Sequence, residues 1–230
     1  MSFLGLVTLW MNLASMLMML KTTSITTAST IQPTYNYFAF GSNMALSTMT
    51  SLRNLNPIAQ TPAVLPNHRL CFNIPGIPLV EPSWASVEPD PVNNVHGVLY
   101  KLTSDDFAKV CQSEGVPFSY QLHRCKVIPY RSNKEGNAGK VALEKYTAKD
   151  SSILNVSAFT LRAGRAEWRI GSDIPPSQSY MNVLLRGTRE FQLDTEYIQR
   201  LEHVQVSKNA MGIAESMLTA AEQSKIRSKQ

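Results

Sequence analysis

"YNYFAFGSNM", Tyr35 to Met44, decides how the rest of this chain is read. An apolar and aromatic run, Tyr35 to Phe40, breaks into three small residues, Gly41-Ser42-Asn43. The run is a strand candidate. The triplet is a tight turn in which Gly41 can take positive φ and successive backbone amides can converge on one point, a nest suited to an oxyanion. A glycine turn after a strand is ordinarily plain structure, so the triplet gains a function only in company with other features.

Working outward, 230 residues at 43% hydrophobic content suffice for one substantial core, and one catalytic domain is expected. A charged fraction of 17% excludes a disordered acidic or basic tail protein. The formal charge of +5 is scattered apart from "KIRSK" at the C-terminus, which reads as a frayed solvated tail, so no nucleic-acid partner is expected. Cys71, Cys111 and Cys125 form neither an even disulfide set nor a CxxC pair, which favours reduced thiols and a cytosol-facing domain.

The first twenty residues carry no charged side chain and hold five of the ten methionines. As a helix, residues 3–20 would rise roughly 27 Å, at the lower edge of a bilayer span. Three readings stay open: a signal anchor with membrane association, a cleaved targeting segment, or an upstream start that the working protein lacks. Residues 21–34, with eight Ser or Thr among the thirteen from Thr22 to Thr34, read as a linker. The domain is expected over 35–206, with a helix or tail over 207–230.

Short strand-like runs come first and helices late, the layout of an α+β domain. Beyond Tyr35–Phe40, strands are expected at "HRLCFNI", "SWASVEP", "VHGVLYKL", "YQLHRCKVIPY", "KVALEKY" and "VSAFTL", and a short helix over Met44–Leu52. "TSDDFAKVCQSEG" is a helix with both ends marked: Thr103 and Asp106 make a capping box, and Gly115 suits the C-terminal cap. Apolar residues at three- and four-residue steps predict helices in "SQSYMNVLLRGTREF" and "DTEYIQRLEHVQV".

Several of these segments together resemble the γ-glutamylcyclotransferase family of the AIG2-like superfamily, the enzymes that release 5-oxoproline from γ-glutamyl amino acids. "YFAFGSNM" resembles the family signature YFAYGSNL, "VHGVLYKL" followed by "QSEGVP" is similar to its strand, helix and catalytic Glu-Gly segment, "YQLHRCKV" to the next strand, and "PPSQSYMNVLLRGTREFQLDTEYIQRLEHV" to its final helical hairpin. The resemblance spans about Tyr35 to Val206. It implies a mixed β-sheet or small barrel flanked by short helices, a small γ-glutamyl substrate, no cofactor and no metal. It also implies Glu114 as general acid/base, and a substrate pocket formed by Tyr37, Phe38, Ala39, Phe40, Gly41, Ser42, Asn43, Tyr120 and Tyr180. A homodimer is held open.

This chain departs from the family at Phe40, where tyrosine is usual, at Cys111, where Asp is common, and at Gln112, which replaces a second acid. Glu114 is therefore the only carboxylate in "KVCQSEGV". Read without the resemblance, a lone Glu at a helix end is a solvated surface charge, and Tyr120 and Tyr180 are amphipathic packing residues. The walls that would select the leaving amine are assigned to the loops "NIPGIPLVEPSW" and "RAGRAEWRIGSDIPP".

Overall fold

β1 (Thr34–Ala39) forms where the aromatic run is expected to be a strand, and its pairing decides the architecture of the whole. In the computed structural model, which describes residues 32–164 and 173–228, β1 pairs antiparallel with β3 (Glu81–Thr103), from Thr34 opposite Thr103 to Ala39 opposite Val98. β3 also pairs along most of its length with β2 (Ala59–Ile77). β2 continues to β4 (Tyr120–Pro129), and β4 to β5 (Val156–Ala163). A parallel contact of β5 with β1, Tyr37 opposite Phe159, closes the five strands into a barrel. The expected α+β fold with a small mixed barrel is what the chain adopts. The apolar segment 3–20, most of the linker and residues 165–172 of the second loop lie outside the described residues. No helix among the described residues is long and apolar enough to cross a membrane.

The three expected strands "HRLCFNI", "SWASVEP" and "VHGVLYKL" are parts of one long hairpin. "NIPGIPLVEPSW" is its tip rather than a loop, since Ile77 lies opposite Glu81. Proline punctuation made the hairpin look like separate pieces. Register shifts between Pro66 and His68 and between Cys71 and Ile74 absorb the irregularity, and such bulges bend and twist a strand pair so that it can wrap a barrel.

Five α-helices among the described residues surround the barrel: α1 (Ser104–Ser113), α2 (Ala138–Thr147), α3 (Gln178–Glu190), α4 (Thr195–Glu202) and α5 (Ala214–Arg227). α1 begins and ends as its sequence marks. Thr103 Oγ1 accepts the Asp106 amide at 3.2 Å, and Gly115 takes φ +66° beyond the last turn. The Asp106 carboxylate does not complete the box; it accepts from the Asn56 amide and from Lys109 Nζ instead. α1 is seated on β1 through rings: Tyr35 stacks on Phe107 at 4.7 Å, and Phe107 meets Phe159 at 5.4 Å. That seat carries the end of α1 to the end of β1. Over the expected Met44–Leu52 helix the chain makes a 3-10 turn (Ser42–Met44) and then a single π turn (Thr48–Leu52).

"KVALEKY" is a helix and not a strand. Its identity is set by Asp194, whose two carboxylate oxygens accept the amides of Gly139 and Lys140 at 2.8 and 2.7 Å, capping α2 from over fifty residues away. A carboxylate at a helix N-terminus satisfies orphan donors and complements the dipole. The same Asp194 lies 4.0 Å from His96, which stacks on Tyr197 and is buried. Burial lowers the imidazole pKa from 6.5 to about 4, with Asp194 opposing. The unfolded state binds the proton more readily, so stability declines as pH falls from about 6.5 toward 4. Thermal midpoints measured from pH 7 to 4 are expected to drop over that window in the parent and less steeply in His96→Asn.

"KIRSK" begins inside α5, where Lys225 Nζ donates to the Thr50 carbonyl, so its first residues are docked and not frayed.

Candidate active site

Glu114 follows directly on the last residue of α1, and its side chain is only 13% exposed, which rules out the solvated surface charge. Oε1 accepts from Asn43 Nδ2 at 2.9 Å and from Arg53 Nη2, with which it forms an ion pair. Asn43 Nδ2 also donates to the Tyr37 hydroxyl at 2.9 Å, while Asn43 Oδ1 accepts from Arg53 Nε at 2.7 Å. Asn43, Arg53 and Glu114 thus close a ring of hydrogen bonds, and Ser113 Oγ takes the remaining arm of the guanidinium. No donor among the described residues reaches Glu114 Oε2. A carboxylate held by one oxygen with the other unengaged is oriented and still able to exchange a proton.

Asn43 sits in the 3-10 turn that follows Gly41. As the first residues of a helical turn, Ser42 and Asn43 have no intrahelical acceptor for their amides. The Met44 amide bonds back to the Gly41 carbonyl at 2.9 Å, and the Met44 carbonyl accepts from Tyr100, which pins the turn to β3. Gly41 itself has φ −111°, so the expected positive φ is not the reason for glycine there. The position is close to a neighbour: a Cβ on residue 41 would stand 3.1 Å from the Tyr180 hydroxyl and 3.6 Å from the Ala85 Cβ.

Tyr180 and Tyr120 are both drawn to Ala85. The bulge in the hairpin sets Cys71 opposite Ser86 and Ile74 opposite Trp84, leaving Ala85 out of the ladder. Its freed amide donates to the Tyr180 hydroxyl at 3.2 Å, and its carbonyl accepts from the Tyr120 hydroxyl at 2.8 Å. Ser177 Oγ caps α3 by accepting the Tyr180 amide at 2.9 Å, and Trp84 meets the Tyr180 ring edge-on at 5.3 Å. Burial is the main cause that pushes the phenols of Tyr37, Tyr120 and Tyr180 well above their ordinary pKa, and the Glu114 charge adds to it in each. All three stay protonated hydrogen-bond donors at neutral pH.

The structure therefore gathers Glu114, Asn43, Tyr37, Gly41, Ser42, Tyr180 and Tyr120 around one turn. Phe38, Ala39 and Phe40, which continue the strand toward the turn, are buried. Phe38 lies on the face of β1 opposite Tyr37, with its ring against Gly97, and Ala39 and Phe40 are buried in the same apolar cluster. Arg53 and Ala85 were missed. Arg53 follows an irregular turn with no motif that the sequence reading used, and Ala85 acts through its backbone, to which its residue type gives no clue. Open clefts lie elsewhere. One of about 510 Å³ is lined by residues including Arg69, Phe72, Asp173 and Arg200, and one of about 710 Å³ by residues including Pro66, Leu143 and Tyr146. Neither contains Glu114 or the Gly41–Asn43 turn. Cavity volume does not point to this cluster of convergent polar groups.

Residues 94–201 match the model of the AIG2-like family. The chain is 32% identical over 164 residues to a γ-glutamyl cyclotransferase of Claviceps purpurea, the alignment covering 69% of this chain and 64% of that protein. It is 30% identical over 162 residues to one of Clonostachys rogersoniana, covering 63% of this chain and 80% of that protein. The chain thus spans slightly less than two thirds of the Claviceps relative's length. Among solved structures, one titled γ-glutamyl cyclotransferase has TM-score 0.59 at 17% identity, covering 83% of this chain and 99% of its own. A human protein has TM-score 0.60 at 19% identity, covering 82% and 98%. These two share the fold. By its identity to the Clonostachys relative over most of that protein's length, together with the family-model match, this chain belongs to the AIG2-like, γ-glutamylcyclotransferase family.

Proposed function

We propose that the protein is a cofactor-independent γ-glutamylcyclotransferase, which closes γ-glutamyl amino acids or related γ-glutamyl conjugates to 5-oxoproline and releases the amine. The observation that carries this reading is the Glu114 carboxylate, 13% exposed and bonded to Asn43 of the glycine turn, with no donor among the described residues on Oε2. In a γ-glutamyl amide the α-amino nitrogen attacks its own γ-carbonyl carbon, forming a five-membered ring. The bond from that carbon to the leaving nitrogen then breaks. Glu114 takes one proton from the substrate ammonium to free the nucleophile and a second from the ring nitrogen after attack, and passes each in turn to the departing amine, which leaves as an ammonium, so one carboxyl group serves every transfer. The nucleophile is already tethered, and most of the remaining barrier lies in folding the substrate and stabilising the developing oxyanion. The amides of Ser42 and Asn43 and the buried Tyr37 hydroxyl are the donors for that oxyanion or for the substrate carboxylate. Tyr180 donates to the polar end of the substrate, and Arg53 holds Glu114 in place.

The full chain incubated with γ-glutamylalanine, glutathione and γ-glutamyl-ε-lysine is expected to yield 5-oxoproline from γ-glutamylalanine. Folded protein that yields none from any of the three would sink the proposal. Gly41→Val tests the turn. Its branched side chain would displace the Tyr180 hydroxyl and tilt the amides, lowering kcat/KM by about 100-fold, the usual cost of losing one oxyanion donor. Its thermal midpoint should fall by no more than a few degrees, because the substitution meets a side-chain tip. A soluble Gly41→Val protein with parental kcat/KM would show that the turn does not bind the reacting group.

A further inference from the structure

α5 lies outside the segment that the family model matches, and it has one buried side chain, Leu218. Its position is held by polar contacts along its length. Before its first turn, the Met211 and Gly212 amides donate to the carbonyls of Leu79 and Val80 at 2.7 and 2.8 Å, and the Ile213 amide approaches the buried Glu81 carboxylate at 3.4 Å. The Glu215 amide donates to Ser179 Oγ at 2.8 Å, and the Glu215 carboxylate accepts from Asn182 at 3.0 Å. Further along, Glu222 accepts both arms of Arg186. Partners rise together in number, so α5 runs parallel to α3, starting beside Tyr180. At its far end Lys225 Nζ donates to the carbonyl of Thr50, within the π turn.

That turn is where Arg53 originates. The Arg53 amide bonds to the Thr48 carbonyl at 3.0 Å, and the Leu55 amide to the Met49 carbonyl at 2.9 Å. A π turn is a rare conformation, and the carbonyls at the end of a helical segment lack partners of their own. An ammonium placed there satisfies one of them and complements the helix dipole. The Arg53 guanidinium meets Asn43, Glu114 and Ser113 together, which requires the backbone at residue 53 to stay in register with α1.

From this geometry we propose that α5 is a strap joining the Tyr180 side of the site to its Arg53 side, and that Lys225 is a positioning residue. It holds the π turn so that Arg53 keeps the Glu114 carboxylate aimed at the glycine turn. The inference rests on the reading of Glu114 as acid/base.

The test is a double-mutant cycle in the full chain with γ-glutamylalanine: Lys225→Met, Arg53→Met and the pair, with Lys225→Arg as the conservative variant. Lys225→Met is expected to lower kcat by about 5- to 10-fold with KM within about twofold, because only alignment is lost. Lys225→Arg should retain most of the rate. In the Arg53→Met background, Lys225→Met should change kcat by less than about twofold, since residues acting in one chain of contacts are not additive. Independently of turnover, hydrogen exchange at the Arg53 and Leu55 amides should quicken about tenfold in Lys225→Met. Effects that multiply in the double variant, an unchanged kcat, or unchanged exchange at those two amides would each overturn the strap. A parent chain that forms no 5-oxoproline would instead refute the proposed function, and the exchange measurement would still decide whether Lys225 holds the turn.

Discussion

Glu114→Gln is expected to fold like the parent and to form 5-oxoproline at least about 10³-fold more slowly, within the range that general acid–base catalysis supplies. The substitution is close to isosteric. Its amide oxygen can still accept from Asn43 Nδ2 and Arg53 Nη2, so the hydrogen-bonded ring survives while the proton carrier is lost. Arg53 is left with a neutral partner at a side-chain exposure of 14%, and a modest loss of stability should accompany the loss of rate. Glu114→Asp separates geometry from charge. One methylene shorter, it draws the carboxylate away from Asn43 and should also be severely impaired. Single-turnover release of 5-oxoproline, followed beside circular dichroism, checks both variants. Near-parental turnover by folded Glu114→Gln would remove Glu114 from the chemistry and leave the ring as a structural device.

Gly97→Ala is expected to destabilise the barrel by at least about 3 kcal/mol, at the upper end of what overpacking costs. Gly97 lies in β3, opposite Ala63 of β2 and close to β1. A Cβ there would stand 2.2 Å from the Ala39 carbonyl oxygen and 2.8 Å from the Phe38 ring. The nearer atom is backbone, so relief requires β1 to move, and β1 closes the barrel and carries Tyr37 and the glycine turn. For a domain of this size the thermal midpoint should fall by roughly 10 °C. Activity at low temperature should fall with it, because the turn is displaced as the strand moves. A midpoint within about 2 °C of the parent would mean that β1 and β3 tolerate separation at this point.

How much of this was legible in the sequence follows from where each element finds its partners. Thr103 caps α1 and Ser177 caps α3 through an amide three residues on, and Gly115 ends α1 at positive φ; these relations lie within one turn of helix, and the letters report them. The strand alternation of "YQLHRCKV" reports β4 in the same way, since one face of the strand meets the core. "KVALEKY" misled because seven residues fit either period, and the cap that decides for helix comes from Asp194. The long hairpin was read in pieces because proline ordinarily stops a strand, whereas here bulges accommodate the irregularity.

The candidate site divides along the same line. Its chemical vocabulary, an acid after a helix, a glycine turn after a strand, and tyrosines at two further places, was present in the sequence, and the family resemblance put it in order. What the sequence by itself determined was each of these pieces, because short-range sterics, capping and side-chain periodicity act within a few residues. Only the tertiary structure decided that Arg53 joins Glu114 across 61 positions, that Ala85 links Tyr180 and Tyr120 through a bulged backbone, and that Gly41 stands against a hydroxyl from α3. Those contacts exist only once the barrel closes and brings distant segments to the same turn, and no local pattern encodes a partner so far away along the chain.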